Sequence, residues 1–256
     1  QPAILTVSVA MLRALEQELG TAVEPACMAG HSLGEYTALV AAGSLSLTDG
    51  VRLVHKRGGL MQDAVPLGMG SMAAIIGIEL SDVSAICAEA AQGEVCQAAN
   101  INSPTQIVIS GHAGAVARAV VLIEQKYTAK VVPLRVSAPF HCDLMRPVAD
   151  RLKEAFKSIE WHEPKFPIIA NANARPVQKI PAVREALYNQ TFSPVMWSQS
   201  VLEMENEGVE GYIELGPGSV LSGLVRKICK GKRPYAVSNS DELMAAAEYL
   251  RGANNG

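Results

Sequence analysis

Short apolar runs and helical hydrophobic repeats alternate along most of the 256-residue chain. An apolar run at Cys27–Ala29 predicts a buried strand, the segment Gly30–Gly34 predicts a tight turn, and Glu35–Ala42 predicts a helix that stops at Gly43. Strands that alternate with helices are typical of an α/β fold, in which helices cover both faces of a parallel sheet. We therefore expect an α/β protein.

The stretch from residue 70 to residue 136 has a rhythm of its own, in the order β-α-β-β-α-β. Its predicted elements are a strand at Met72–Ile78, a helix at Ser81–Ala91, strands at Val95–Ile101 and Gln106–Ser110, a helix at Ala115–Tyr127 and a strand at Lys130–Val136. This order is the ferredoxin-like arrangement. We predict that residues 70–136 form an inserted ferredoxin-like subdomain and that residues 1–69 and 137–256 form a larger α/β catalytic subdomain.

After the insertion the α/β pattern resumes. The expected elements are helices at Leu144–Ile159, Ile180–Tyr188, Met196–Glu207 and Val220–Cys229, and strands at Phe166–Asn171 and Gly211–Leu215. At the other end of the chain, the helical pattern of Thr6–Leu19 has no strand before it. A domain seldom opens in the middle of its pattern, so we expect that an amino-terminal strand is missing from this sequence.

Composition removes several classes of protein. The formal net charge is −3, with 18% charged and 49% hydrophobic residues, which excludes a disordered chain and a general nucleic-acid binder. The longest apolar stretches, such as Met72–Ile78, fall far short of the ~18 residues that span a bilayer. The five cysteines are scattered and never spaced Cys-x-x-Cys, so neither a disulfide framework nor a metal site is expected. We expect a cytoplasmic globular protein that binds neither nucleic acid nor a membrane.

The segment Gly30–Gly34 matches the pattern Gly-x-Ser-x-Gly between a predicted strand and a predicted helix. In this context a sharp turn exposes the serine as a nucleophile, and the flanking glycines let strand and helix pass closely. The next amide, that of Leu33, lies at a helix amino terminus and can donate to a developing oxyanion. The pattern predicts Ser32 as a nucleophile, with an incidental serine in a glycine-rich turn as the alternative.

A serine nucleophile needs a base, and the chain contains five histidines, namely His31, His55, His112, His141 and His162. His31 is the serine's neighbour in sequence and is expected to point elsewhere. We predict His55 on the polar side of a helix, His112 in a loop of the inserted unit and His162 in an exposed turn. His141 follows the last strand of the inserted unit, at a junction between subdomains where clefts form. It is therefore the best candidate for the base, with a structural histidine as the alternative.

A helix is predicted from a cap at Thr48 or Asp49 to about Ala64, and one arginine lies in the middle of its apolar face. That face is formed by Leu53, Val54, Leu60 and Met61. An isolated buried charge costs several kcal/mol, so Arg57 needs a partner. The partner is either an internal Asp or Glu in a structural pair, or a substrate carboxylate held by the guanidinium fork. We also predict Met61, on the same apolar face, as a substrate-binding residue.

Several sequence motifs occur together and in order along the chain. They are Gly30–Tyr36, Val51–Val54 leading to Arg57-Gly58, Met72–Ile75, Asn102-Ser103-Pro104 with Val108–Gly111, Pro139-Phe140-His141, and Glu214–Gly218. On these motifs the chain resembles the malonyl-CoA:acyl carrier protein transacylase family, from Gln1 to about Ser240.

The resemblance implies an α/β-hydrolase-like, parallel-sheet subdomain with an inserted ferredoxin-like subdomain. It also implies that Ser32 is the active serine, His141 its histidine and Arg57 the residue that binds the substrate carboxylate. Gln190 matches a position that orients the histidine through its backbone carbonyl, and Phe140 resembles the malonyl-selective form of its loop. The sequence lacks the family's opening strand and Phe-Pro-Gly-Gln-Gly loop, whose glutamine amide supplies half of the oxyanion hole.

The activity implied by the resemblance is transfer of a malonyl group from malonyl-CoA to the pantetheine thiol of acyl carrier protein, in fatty acid biosynthesis. The reaction passes through a malonyl-serine intermediate and needs no cofactor, and we expect a monomer. Three alternatives remain open. They are a thioesterase-like serine hydrolase, an acyltransferase domain fragment of a polyketide or multifunctional fatty acid synthase, and a non-catalytic module that binds carrier protein.

Overall fold

The computed structural model describes residues 1–136 and 138–253. The helices are α1 (Pro2–Leu19), α2 (Leu33–Ala41), α3 (Leu47–Gln62), α4 (Leu80–Ala91), α5 (Ala113–Lys126), α6 (Arg146–Phe156), α7 (Ile180–Gln190), α8 (Trp197–Asn206), α9 (Val220–Ile228) and α10 (Ser240–Ala253). The strands are β1 (Gly70–Ile76), β2 (Cys96–Ser103), β3 (Gln106–His112), β4 (Lys130–Pro133), β5 (Ile168–Ile169), β6 (Pro176–Val177), β7 (Ile213–Leu215) and β8 (Tyr235–Val237). The predicted subdomain boundary at Ser137 and the last three residues of the predicted larger subdomain, 254–256, lie outside the described ranges.

Strands β1 to β4 form one antiparallel sheet in the order β2-β3-β1-β4. Alternate residues of β1 face opposite sides of this sheet. Ala73 and Ile75 join the apolar core beneath α4 and α5, whereas Met72 and Ala74 join a smaller core against which Phe140 packs. The elements from β1 to β4 follow the order expected from the sequence. The edge of β2 contacts the main body through a parallel bridge from Asn100 to Val195.

Strand pairing outside this sheet is shorter than the sequence predicts. The run at Cys27–Ala29 makes a single parallel bridge, from Met28 to Ile168 in β5. β5 pairs with β6 in antiparallel fashion, while β7 and β8 form a parallel pair. Pro167 directly precedes β5 and Pro176 begins β6. Neither proline can donate a ladder hydrogen bond. In the described ranges, the expected parallel sheet is therefore represented by short pairings.

Two helix starts differ from expectation. The amino-terminal cap of α3 is Ser46, whose Oγ accepts a hydrogen bond from the backbone N–H of Asp49 at 3.0 Å, so a cap at Thr48 or Asp49 was wrong. The helix predicted from Leu144 begins as a short 3₁₀ turn, and α6 starts only at Arg146. The sequence patterns also missed β6 and β8, since two- or three-residue strands show no periodicity. They missed the 14-residue helix α10 as well.

The largest apolar core joins α1, α2, α3, α6 and α7. A groove of about 730 Å³ lies between α1, α2 and β7 and reaches Gly30 and His31 beside the serine turn. In the described part of the chain, no helix combines the length and apolarity that a membrane crossing requires.

Candidate active site

Ser32 lies on a strained turn that leads into α2. Its φ of 52° and ψ of −101° are unusual for a residue with a side chain, and such a backbone costs about 1–3 kcal/mol. The turn is compressed, because a Cβ on Gly30 would collide with the backbone of Gly34. Leu33 is the first residue of α2, so its amide belongs to the helix amino terminus, where N–H groups have no intrahelical acceptor.

The histidine that contacts the serine is His141. The Ser32 Oγ lies 2.7 Å from His141 Nε2, and His141 Nδ1 lies 2.8 Å from the backbone carbonyl oxygen of Gln190. Because a carbonyl oxygen only accepts, Nδ1 carries the proton and Nε2 is left to accept from the serine hydroxyl. Burial, helped by the positive charge of Arg57, lowers the pKa of His141 to about 3. The imidazole is therefore neutral and ready to act as a base.

Arg57 is 2% exposed and its guanidinium faces the serine. It donates to Gln1 Oε1 at 2.8 Å, to Ser32 Oγ at 2.9 Å and to Gln190 Oε1 at 3.2 Å. All three acceptors are neutral. No Asp or Glu of the described residues forms an ion pair with this guanidinium. The pairing with an internal acid that the sequence left open is absent from residues 1–136 and 138–253, and the buried cation can receive an anionic ligand.

Glu35 is a buried acid on which the charge of Arg57 acts, but its carboxyl group is hydrogen-bonded to other residues. Its Oε2 accepts from the backbone N–H of Asn171 at 3.0 Å and from Gln190 Nε2 at 2.9 Å. Burial raises the pKa of Glu35 to about 7, although both hydrogen bonds and the charge of Arg57 act in the opposite direction. A carboxyl with this pKa is partly protonated at neutral pH, so it neutralises Arg57 only in part.

Asparagines hold the serine turn from two sides. The Asn171 Nδ2 donates to the carbonyl of Gly30 at 2.8 Å, and its Oδ1 accepts from the backbone N–H of Ser32 at 2.7 Å. His31 points away from the serine, as expected, and its Nε2 lies 2.8 Å from Asn102 Oδ1 in β2. These contacts brace a backbone that would otherwise relax.

The other predicted residues fall into two groups. His55 and His162 are exposed, and His112 Nδ1 accepts a backbone N–H within the inserted unit, so none of them faces the serine. Met61 is 1% exposed within the main core, and Phe140 is half-buried against two cores. Their roles in substrate binding stay predictions.

Sequence reasoning missed four residues of this site, namely Gln1, Glu35, Asn102 and Asn171. Two of them had a usable signal: Glu35 follows the nucleophile turn directly, and Asn171 follows an apolar strand at the end where α/β proteins place functional groups. Gln1 and Asn102 reach the site only through tertiary contacts with Arg57 and His31. Together the assembled groups suit acylation of a serine by an acyl group that carries its own carboxylate.

Comparisons with known proteins agree with this chemistry. Residues 1–246 match the family described as acyl transferase domain. The chain is 45% identical over 248 residues to the malonyl CoA-acyl carrier protein transacylase of Escherichia coli K12. This alignment covers 97% of this chain and 80% of that protein.

Solved structures give the same result. The malonyl CoA-acyl carrier protein transacylase of Coxiella burnetii matches with a TM-score of 0.94 at 41% identity, over 98% of this chain and 78% of that one. A malonyl-transacylase in complex with a type II PKS acyl-carrier protein matches with a TM-score of 0.93 at 43% identity, over 97% and 80%. The chain therefore belongs to the acyl transferase domain family, among the malonyl CoA-acyl carrier protein transacylases.

Proposed function

We propose that this protein transfers a malonyl group from malonyl-CoA to the pantetheine thiol of acyl carrier protein, in fatty acid biosynthesis. The observation that carries the proposal is the buried guanidinium of Arg57, which donates to the nucleophile Ser32 and to neutral acceptors only. A cation in that place selects an acyl group with a free carboxylate. The names of the relatives, and the carrier protein bound to one of them, support the same donor and acceptor.

In the first half-reaction, His141 Nε2 takes the proton of Ser32 as the serine oxygen attacks the malonyl thioester. The Leu33 amide at the start of α2 stabilises the oxyanion. The imidazolium then gives its proton to the departing CoA sulfur, which leaves malonyl-Ser32. The Gln190 carbonyl keeps the imidazole in one tautomer and stabilises its charged form, as an acid does in a triad.

In the second half-reaction, the pantetheine thiol gives its proton to His141 and attacks the ester of malonyl-Ser32. As the tetrahedral intermediate collapses, His141 returns the proton to the serine oxygen. The products are malonyl-carrier protein and free serine. The same base and the same oxyanion donor serve both steps, because the second step is the reverse of the first with a different thiol.

Arg57 supplies the selectivity. In the free enzyme one of its N–H groups occupies the serine oxygen, and a bound carboxylate takes over that donor and releases a lone pair for attack. Charge-assisted hydrogen bonds of about 1.5–3 kcal/mol give up to ~150-fold preference for malonyl over an uncharged acyl group. Met61 and Phe140 form walls of the same pocket in this proposal.

We also propose a division into subdomains, with residues 70–136 as a ferredoxin-like insertion into an α/β-hydrolase-like body of residues 1–69 and 137–256. The order β2-β3-β1-β4 of the antiparallel sheet supports the insertion. Separate apolar cores support it as well, since the core under α4 and α5 shares no buried residue with the core of α1, α2 and α3.

Intact-mass measurement tests the proposed function. Purified protein mixed with malonyl-CoA is expected to gain the mass of one malonyl group, and to gain far less with acetyl-CoA. Addition of holo acyl carrier protein is then expected to move the label to the carrier. Release of free malonate as the main product would favour a thioesterase, and no acylation by either thioester would contradict the proposal.

The depressed pKa of His141 predicts a flat pH profile. An ordinary histidine is about nine-tenths protonated at pH 5.5, whereas His141, with a pKa of about 3, stays neutral there. We expect kcat/KM for malonyl-CoA at pH 5.5 to remain within about twofold of its value at pH 7.5, instead of falling about tenfold. Glu35 has a pKa of about 7 and titrates in this window, so the profile is compared with that of Glu35→Gln. A tenfold acid loss that persists in this variant would overturn the prediction.

A further inference from the structure

A reciprocal pair of hydrogen bonds joins the inserted unit to the loop that carries the imidazole. Gln97 in β2 donates from Nε2 to Asp143 Oδ2 at 2.6 Å, and its Oε1 accepts the backbone N–H of Asp143 at 2.8 Å. The N–H and the carbonyl oxygen of the Gln97 side-chain amide therefore both bond to Asp143, which lies two positions after His141. The pair fixes both the side chain and the backbone of that loop.

The loop needs such a support, because His141 has a φ of +58°, a conformation that residues with a side chain adopt rarely and keep only when their surroundings impose it. Side-chain packing supplies part of this support, because Cys142 is fully buried and Phe140 packs against the small core that includes Ala99 of β2. A cavity of about 510 Å³ opens beside the pair and is lined by Gln97, Asp143, Arg146 and Phe192. At the edge of this cavity the two Gln97–Asp143 hydrogen bonds hold the loop against β2.

The second carboxylate oxygen of Asp143 extends the connection to the other support of the imidazole. Oδ1 accepts from Arg146 Nε at 2.7 Å, and the guanidinium of Arg146 lies 4.1 Å from the centre of the Phe192 ring. Phe192 follows Gln190 by two residues, and Gln190 provides the carbonyl that binds His141 Nδ1. Asp143 thus connects β2 both to the imidazole loop and to the segment that orients the ring.

The same strand also contacts the serine turn, through Asn102 and His31. We infer that β2 sets the distance between Ser32 and His141, and that Gln97 is a positioning residue for the imidazole through its reciprocal pair with Asp143. The inference rests on the proposed function for its catalytic meaning. It assigns the inserted unit a role in nucleophile activation, although Gln97 itself contacts neither Ser32 nor His141 in the structure.

The test measures serine reactivity without the natural substrate. A small fluorophosphonate phosphonylates an activated serine with loss of fluoride and needs neither a carboxylate nor CoA for recognition, so its rate constant reports the reactivity of Ser32 independently of malonyl-CoA binding. Gln97→Ala is expected to lower this rate constant about 10- to 100-fold, the usual consequence of a misplaced catalytic group. The melting temperature is expected to change little, since Gln97 borders a cavity and its truncation removes little packing. The affinity for malonyl-CoA, measured with Ser32→Ala as background, is expected to stay unchanged.

The matched control is Gln178→Ala, which removes an amide that donates to backbone carbonyls far from the site. A polarity exchange provides rescue. Gln97→Glu alone places two carboxylates against each other and is expected to lower the rate constant. Gln97→Glu combined with Asp143→Asn restores the pair, because the introduced carboxylate accepts both from the introduced amide and from the backbone N–H of position 143. The double variant is expected to recover to within about threefold of wild type.

Three results would overturn the inference: a wild-type rate constant in Gln97→Ala, an equal loss in Gln178→Ala, or a double variant no faster than Gln97→Glu. These outcomes are distinct from failure of the proposed function. If wild-type protein reacts with the fluorophosphonate but never acquires a malonyl group, the substrate assignment is wrong while the role of Gln97 is still decided by its variants.

Discussion

Ser32→Ala is expected to abolish the malonyl mass increment and to lower the transfer rate by at least about 10³-fold. Loss of a nucleophile removes the covalent route entirely and leaves only substrate binding and oxyanion stabilisation. The variant removes one oxygen, which contacts both His141 Nε2 and Arg57 in the wild type. The measurement is intact mass after incubation with malonyl-CoA, followed by the rate of transfer to carrier protein.

Ser158→Ala serves as the matched control, because Ser158 Oγ donates only to a nearby backbone carbonyl at the end of α6. It is expected to retain wild-type labelling. Persistence of a stable malonyl adduct on Ser32→Ala would show that another side chain is the nucleophile, and the assignment of the site would then be wrong.

Arg57→Met is expected to remove the preference for malonyl-CoA, with malonyl transfer falling about 10- to 150-fold and acetyl transfer unchanged or raised. Methionine keeps much of the arginine's volume in the apolar face of α3 but provides no donor for a carboxylate. Because the buried guanidinium has no full ionic partner in the described residues, its removal is not expected to lower the melting temperature. The measurement is the transfer rate with malonyl-CoA and with acetyl-CoA in parallel, and the ratio of the two rates gives the preference for malonyl.

Two further variants sharpen this result. Arg52→Met changes an arginine on the exposed side of the same helix and is expected to leave the ratio unchanged. Arg57→Lys keeps a positive charge without the planar fork, and an intermediate ratio is expected. An unchanged malonyl-over-acetyl preference in Arg57→Met would contradict the role of Arg57 as the carboxylate site.

Local sequence patterns predicted the parts of the fold that depend on short-range geometry. The order of elements from β1 to β4 follows from hydrophobic periodicity, and the burial of Arg57 follows from its place in the apolar arc of α3. Helix caps and short strands were harder to predict from the sequence. Ser46 was missed as the cap of α3, and the short pairings near Pro167 and Pro176 depend on which chain lies alongside.

The turn that presents Ser32 can be predicted from local sequence, because glycine spacing and backbone sterics act within a few residues. The burial of a cation on one face of α3 can be predicted in the same way. The surroundings of these two groups depend on long-range contacts: His141 lies 109 residues from Ser32 along the chain, and Gln190 lies 133 residues from Arg57. Contacts over such separations arise from the packing of whole elements, and no local preference specifies them. Whether the buried guanidinium meets an acid or neutral amides was therefore a property of the folded chain.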